Sequence, residues 1–245
     1  MKRARLGVLI APGISALLAF GLLCGLGLWQ LQRLAWKEAL MARVAARTHM
    51  SLAPAPAERD WPQVDAEDEY RRVTLTGVFR HDREALCYAL LSEANGKFSG
   101  PGYWVLTPLV LADGASVLVN RGFVPLDRKD ADRRREGQVT GTVTVSGLLR
   151  LPERRSWFTP ADDPAAHLWQ ERDPAVIAAA YGLVRAAPFF VDADAAPNPG
   201  GLPQGGETKL VFPNRHLEYA LTWFGLALAL AAVFIAFAWK QLTAP

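Results

Sequence analysis

The apolar residues of this chain form two long blocks near its ends, with a broken, alternating pattern between them. From Leu6 to Gln32 there are 27 residues without a charge, and from Tyr219 to Trp239 there are 21. A helix needs about 20 predominantly apolar residues to cross the hydrocarbon layer of a membrane. Both blocks therefore predict spanning helices, one over residues 6–28 and one over 214–239 with its first residues at the interface. Past the first block, Trp29, Arg33, Trp36, Lys37, Leu40 and Val44 keep helical spacing and predict a helical extension over 29–52. Ala53-Pro54-Ala55-Pro56-Ala57 then breaks the helix and opens a linker over 53–69. Residues 1–5 and 240–245 remain as short tails.

Between residues 70 and 213 the period changes to two. Val73, Leu75, Gly77 and Phe79 alternate with Thr74, Thr76 and Val78. Leu86–Leu91 is a short apolar run, and Tyr103–Leu111 and Ser116–Val124 flank the turn dipeptide Asp113-Gly114. Val139, Gly141, Val143 and Val145 alternate with Thr and Ser, so that one face is buried and the other wet. These segments predict five antiparallel strands, closed or nearly closed into a small barrel or sandwich. Asp127–Glu136, with five basic and four acidic residues, reads as a solvated loop or helix end. Asp173 to Gly182 reads as a short helix, with Asp as N-cap, Pro in the first turn and Gly as the stop. Phe189–Asp192 predicts a further strand, and the Gly- and Pro-rich Asn198–Gly206 a mobile loop. The fold class is α+β: two transmembrane helices flanking an antiparallel, β-rich domain outside the cytoplasm.

Charge adds an orientation. The sequence pI is near 9.0, yet all 24 Asp and Glu lie between residues 33 and 218 with 23 of the 27 Lys and Arg, leaving that region near neutral. The surplus is Lys2, Arg3, Arg5 and Lys240, at the terminal flanks of the apolar blocks. This is the positive-inside pattern. It predicts both termini in the cytoplasm and the central domain in the periplasm of a bacterium with an inner membrane, or in the intermembrane space of a mitochondrion. It argues against nucleic-acid binding. A cleaved signal peptide is not expected, because the first block is longer than a signal core and lacks a clean Ala-x-Ala site. Cys24 falls in the bilayer and Cys87 in the domain, so no disulfide is expected.

The motifs of zinc helices, phosphate loops, dinucleotide folds, covalent haem attachment and nucleophile elbows are missing from the sequence, and no enzyme is expected. Of the four histidines, His49, His81 and His167 sit in polar surroundings. His216 stands three residues before the second uncharged block. On a helix it shares a face with Tyr219, Ala220, Trp223 and Ala227, a face positioned to meet the first helix around Gly25 and Trp29. A neutral imidazole at that depth either bonds water and headgroups or ligates a metal, haem iron included. Haem propionates would seek cations such as Arg33 and Arg215.

Three segments together resemble the Surfeit locus protein family, membrane factors that help assemble haem–copper cytochrome oxidase. They are Gly27-Leu28-Trp29-Gln30-Leu31-Gln32-Arg33-Leu34-Ala35-Trp36-Lys37, Val119-Asn120-Arg121-Gly122-Phe123-Val124-Pro125, and Asn214-Arg215-His216-Leu217-Glu218-Tyr219-Ala220-Leu221-Thr222-Trp223-Phe224. The family often has Trp where Phe123 stands and Asn where Arg215 stands. The resemblance implies a role in delivering or inserting haem a into oxidase subunit I, with His216 as axial ligand; Arg33, Arg215 and Trp223 are the further residues expected near the haem. It adds haem a synthase as a second partner, beside the lipid bilayer. The alternative is a haem-free scaffold that stabilises an oxidase intermediate through protein contacts, with Trp29, Arg121 and Gly122 as the contact residues.

Overall fold

The computed structural model describes residues 2–210 and 213–243. They fall into two compact units. One is built from the two ends of the chain, through Arg43 and from residue 213 onward; the other spans Val44–Leu210.

In the first unit, helices α1 (Lys2–Thr48) and α3 (His216–Thr243) form an antiparallel pair. Both are long and apolar enough to cross a membrane. The expected span over 6–28 and extension over 29–52 are one uninterrupted helix, which stops at Thr48. No Pro lies between Pro12 and Pro54 to break it. The short α2 (Pro174–Tyr181) belongs to the second unit. Its cap is the expected one: the Asp173 carboxylate accepts from Ala175 N at 2.9 Å, and Gly182 closes the end with φ of +64°.

The second unit carries eight strands: β1 (Ala53–Pro54), β2 (Arg72–Phe79), β3 (Ala85–Leu91), β4 (Gly100–Leu111), β5 (Ser116–Pro125), β6 (Thr142–Arg150), β7 (Leu168–Trp169) and β8 (Ala186–Ala193). Five of them close a ring, β2–β6–β8–β5–β4 and back to β2. Five was the expected number of strands, but the membership differs. β8 takes the place of β3, which lies outside the ring paired to β4 and to the two-residue β7. The expectation of wholly antiparallel pairing is also corrected. Directions cannot alternate around a ring with an odd number of members, so at least one neighbouring pair must run parallel. Here that pair is β5 and β8; the other four contacts are antiparallel.

Alternation along the ring strands divides the core in two. Val73, Leu75, Leu109, Val117, Val119, Leu149, Phe189 and Val191 fill the barrel. The intervening Leu118 and Phe190 point outward, where Cys87, Trp169 and Ile177 cover them in a second cluster. Cys87 is a free thiol whose pKa burial pushes up.

Two stretches expected to be loose are built in. The segment 53–69 is not a linker: β1 pairs with β2 in parallel, and Ala55 N donates to Thr74 O at 2.9 Å. Trp61 then enters the barrel core edge-to-face against Phe189, with centroids 6.3 Å apart, while its Nε1 donates to Pro56 O. The segment Asn198–Gly206 is tied to β5, since Phe123 and Gln204 exchange both backbone hydrogen bonds at 2.8 Å.

Removing the indole should therefore open the barrel. Trp61→Ala is expected to cost about 3–5 kcal/mol in chemical denaturation of the detergent-solubilised protein. Val184→Ala, at a side chain 96% exposed, should change the midpoint little.

Candidate functional site

The site grows from a close approach of α1 and α3. Gly27 is buried, and a Cβ there would lie 2.6 Å from ring carbons of Phe224. Ala220 and Ala227, flanking Phe224 by about one turn each way, are 1% and 2% exposed. Small residues at the crossing let two helix backbones come near in a membrane. One turn beyond Gly27 is Gln30, and one turn before Ala220 is His216. Their side chains meet, with His216 Nδ1 lying 2.7 Å from Gln30 Oε1. Just outside the helix, the Asn214 side chain accepts from His216 N at 3.4 Å, and Lys37 Nζ donates to Pro213 O. Gly27, Gln30, Leu34 and Lys37 thus make one stripe on α1 facing the start of α3.

The sequence-named residues divide around this contact. His216 and Trp223 are half-buried in the helix pair, whereas Tyr219 is 54% exposed and off the face. Trp29 is 51% exposed, and Gly25 has no neighbouring heavy atom within 4 Å of its would-be Cβ. The face of α1 that receives His216 is therefore the Gly27–Gln30 face, not the expected Gly25–Trp29 face. Arg33 and Arg215 are exposed, with the Arg33 guanidinium 4.6 Å from the centre of the Trp36 ring. Gln30 went unremarked in the sequence. Its signal was present, since a polar amide inside a 27-residue uncharged block asks for a partner.

Arg121 and Gly122 do not form a contact surface. Both are buried, and they serve the domain itself. Gly122 has φ of +127°, a conformation that L side chains rarely adopt, and a Cβ there would lie 2.0 Å from Gln204 O. Arg121, 3% exposed, donates from Nη1 to Glu84 Oε1 at 3.2 Å and from Nη2 to Gly137 O, and its guanidinium stacks over Phe79 at 4.9 Å. Arg134, in the segment expected to be solvated, is also buried and forks onto both Glu84 oxygens at 3.2 and 2.7 Å. Gln138 adds a third donor group to Glu84, and His81 Nδ1 lies 3.5 Å away. The other nitrogen of His81, Nε2, donates to Val139 O at 2.8 Å, so this histidine is not a free surface group.

Burial opposes charge on Glu84, but its hydrogen bonds and the two guanidiniums outweigh it and hold the carboxyl at about 2. Arg121 is pulled down to about 10 by burial and by the neighbouring Arg134 guanidinium, against the opposing pull of Glu84. A second buried carboxylate, Asp192, is saturated by Asn120, Arg150, Arg172 and Thr208. Both are networks in which every carboxylate oxygen has a donor, the condition for tolerating buried charge.

Two apolar helices long enough to cross a membrane and a closed β-barrel in one chain define a class of membrane-associated protein, and likeness to known proteins narrows it. The sequence profile of the SURF1 family matches residues 17–228. Surfeit locus protein 1 of Rattus norvegicus is 37% identical over 215 residues, which is 84% of this chain and 68% of the rat protein. The Homo sapiens protein of the same name is 36% identical over 220 residues, 84% of this chain and 70% of its own length. A SURF1-like protein of Drosophila melanogaster is 37% identical over 218 residues, covering the same two shares. The chain belongs to the SURF1 family.

The Glu84 cluster carries a pH signature. Its folded pKa lies below the ordinary value of 4.5, so its stabilisation is complete above about pH 4.5 and is lost as pH falls toward 2. The displacement corresponds to roughly 3 kcal/mol. Acid titration of the domain by circular dichroism should show a transition in that window, and Glu84→Gln should flatten it. Glu84→Ala, which leaves two buried guanidiniums unpaired, should cost about 3–5 kcal/mol at neutral pH.

Proposed function

We propose that this protein is a membrane-anchored assembly factor for haem–copper cytochrome c oxidase that holds haem a at His216 before its insertion into subunit I. The observation that carries this reading is the state of the His216 ring. One nitrogen is engaged by Gln30, and the other, Nε2, makes no hydrogen bond among the described residues. An imidazole with one nitrogen fixed and the other free is the arrangement of a haem ligand.

The surroundings fit a haem as cargo. Arg33 and Arg215 stand exposed near the polar ends of the two helices and suit its propionates. The half-buried Trp223 offers apolar surface about two turns further along α3 on the same face. The haem supplies a flat macrocycle whose iron accepts one axial nitrogen; the chain supplies that nitrogen and two cations. A single protein ligand is a reversible hold, which delivery requires. The barrel orients the transfer by docking on subunit I or on the haem a synthase from which the cargo comes. Binding and release, rather than bond-making, are then the protein's work. The positive flanks Lys2, Arg3, Arg5 and Lys240 favour cytoplasmic termini and a barrel on the opposite side, in the periplasm of a bacterial inner membrane.

Wild-type protein purified from cells that make haem a is expected to carry a haem spectrum. His216→Ala should lose most of it while keeping the far-ultraviolet dichroism of the intact barrel. Pigment retained at the wild-type level in His216→Ala would sink the assignment.

A further inference from the structure

Glutamine side chains at helix crossings in membranes are commonly ordinary interhelical glue. The geometry at Gln30 has a more specific consequence. The atom of Gln30 facing the imidazole is the amide oxygen, 2.7 Å from His216 Nδ1. A carbonyl oxygen only accepts, so Nδ1 must carry the proton. A neutral imidazole with its proton on Nδ1 has its lone pair on Nε2. In water the neutral ring favours the opposite tautomer, so the Gln30 contact reverses the default and selects the nitrogen that is bare.

We infer that Gln30 is a positioning residue for His216: it fixes the Nδ1–H tautomer, leaves Nε2 bare, and sets the strength of the bond Nε2 gives to iron. The inference rests on His216 being the haem ligand. The type of acceptor sets the strength. A carboxylate partner draws the Nδ1 proton strongly, gives the ring imidazolate character and tightens the axial bond; a neutral amide does so weakly. A weak push suits a carrier, which must give its cargo up. Rigidity comes from the same stripe. Gly27 brings the backbones together one turn away, and Lys37 ties the start of α3 through Pro213 O, so the acceptor is held in place without a charge.

Two substitutions with opposite expected effects separate this role from a merely structural one. Gln30→Leu removes the acceptor, and Gln30→Glu replaces it with a carboxylate. The probe is ferric protoporphyrin IX bound to the full chain in detergent, and its release is timed by transfer to excess apomyoglobin. Gln30→Leu is expected to release haem roughly 10–100-fold faster, the scale usual for partners of metal-binding side chains. Gln30→Glu should release it more slowly than wild type and raise the iron–histidine stretching frequency in the ferrous Raman spectrum. A loss of packing would speed release in both variants.

Nitrogen-15 NMR of the haem-free protein reads the tautomer directly, with His216 assigned from its missing signal in His216→Ala. Wild type should show Nδ1–H, and Gln30→Leu should shift toward Nε2–H. A wild-type ring protonated on Nε2 overturns the inference, as do Gln30 variants that both release haem at the wild-type rate. If His216→Ala binds the porphyrin as tightly as wild type, the parent reading falls, and the ligand-positioning role falls with it. Loss of binding in His216→Ala, with both Gln30 variants unchanged in tautomer and release, sinks this inference alone.

Discussion

Two helices can share a short polar contact inside an apolar layer only if their backbones come close enough for short side chains to reach. In this protein Gly27 permits that approach. Phe224 lies where a side chain at position 27 would stand, and Ala220 and Ala227 keep α3 slim on either side. One turn further along, the distance is right for an amide and an imidazole, and Gln30 meets His216 at 2.7 Å. A larger residue at 27 would push the helices apart and break the amide–imidazole contact. The helix crossing is therefore the condition for any chemistry at His216.

The barrel obeys a constraint of a different kind. Closing five strands forces one parallel neighbour pair, and β5–β8 supplies it, reached by the crossover through β6, β7 and α2. That crossover lays α2 and Trp169 over the outward faces of Leu118 and Phe190 and creates the second core. It also brings Asp192 on β8 beside Asn120 on β5 and within reach of Arg150 and Arg172. Topology thus fixes where a buried carboxylate must find its cations. In the same way, Glu84 gathers Arg121 from β5 and Arg134 and Gln138 from the segment after it.

How much of this was legible in the sequence depended on the range of the interaction involved. The apolar blocks were plain, because some 20 uncharged residues in a row have few other uses. The capped α2 and the β4–β5 hairpin were plain as well, since their signals are local. The identity of the fifth ring strand was hidden, because Leu86–Leu91 and Phe189–Val191 are both apolar runs and only the closure of the ring distinguishes them. Arg121 stood out as part of a motif, but its burial did not, for its partners come from segments 16 and 37 residues away. The site was half visible. His216 announced itself as an imidazole at the edge of an apolar block. Its partner depended on the rotation of α1 about its axis, and Trp29 and Gln30 differ by about 100° around a helix. The aromatic drew the eye and the amide makes the contact.

The central claim is an iron–nitrogen bond to His216, and hyperfine spectroscopy observes such a bond directly. Ferric haem bound to protein labelled with nitrogen-15 at histidine should show one strongly coupled axial histidine nitrogen, and the coupling should vanish in His216→Ala. Bound haem with no axial histidine coupling, or with a coupling that survives the substitution, would contradict the account.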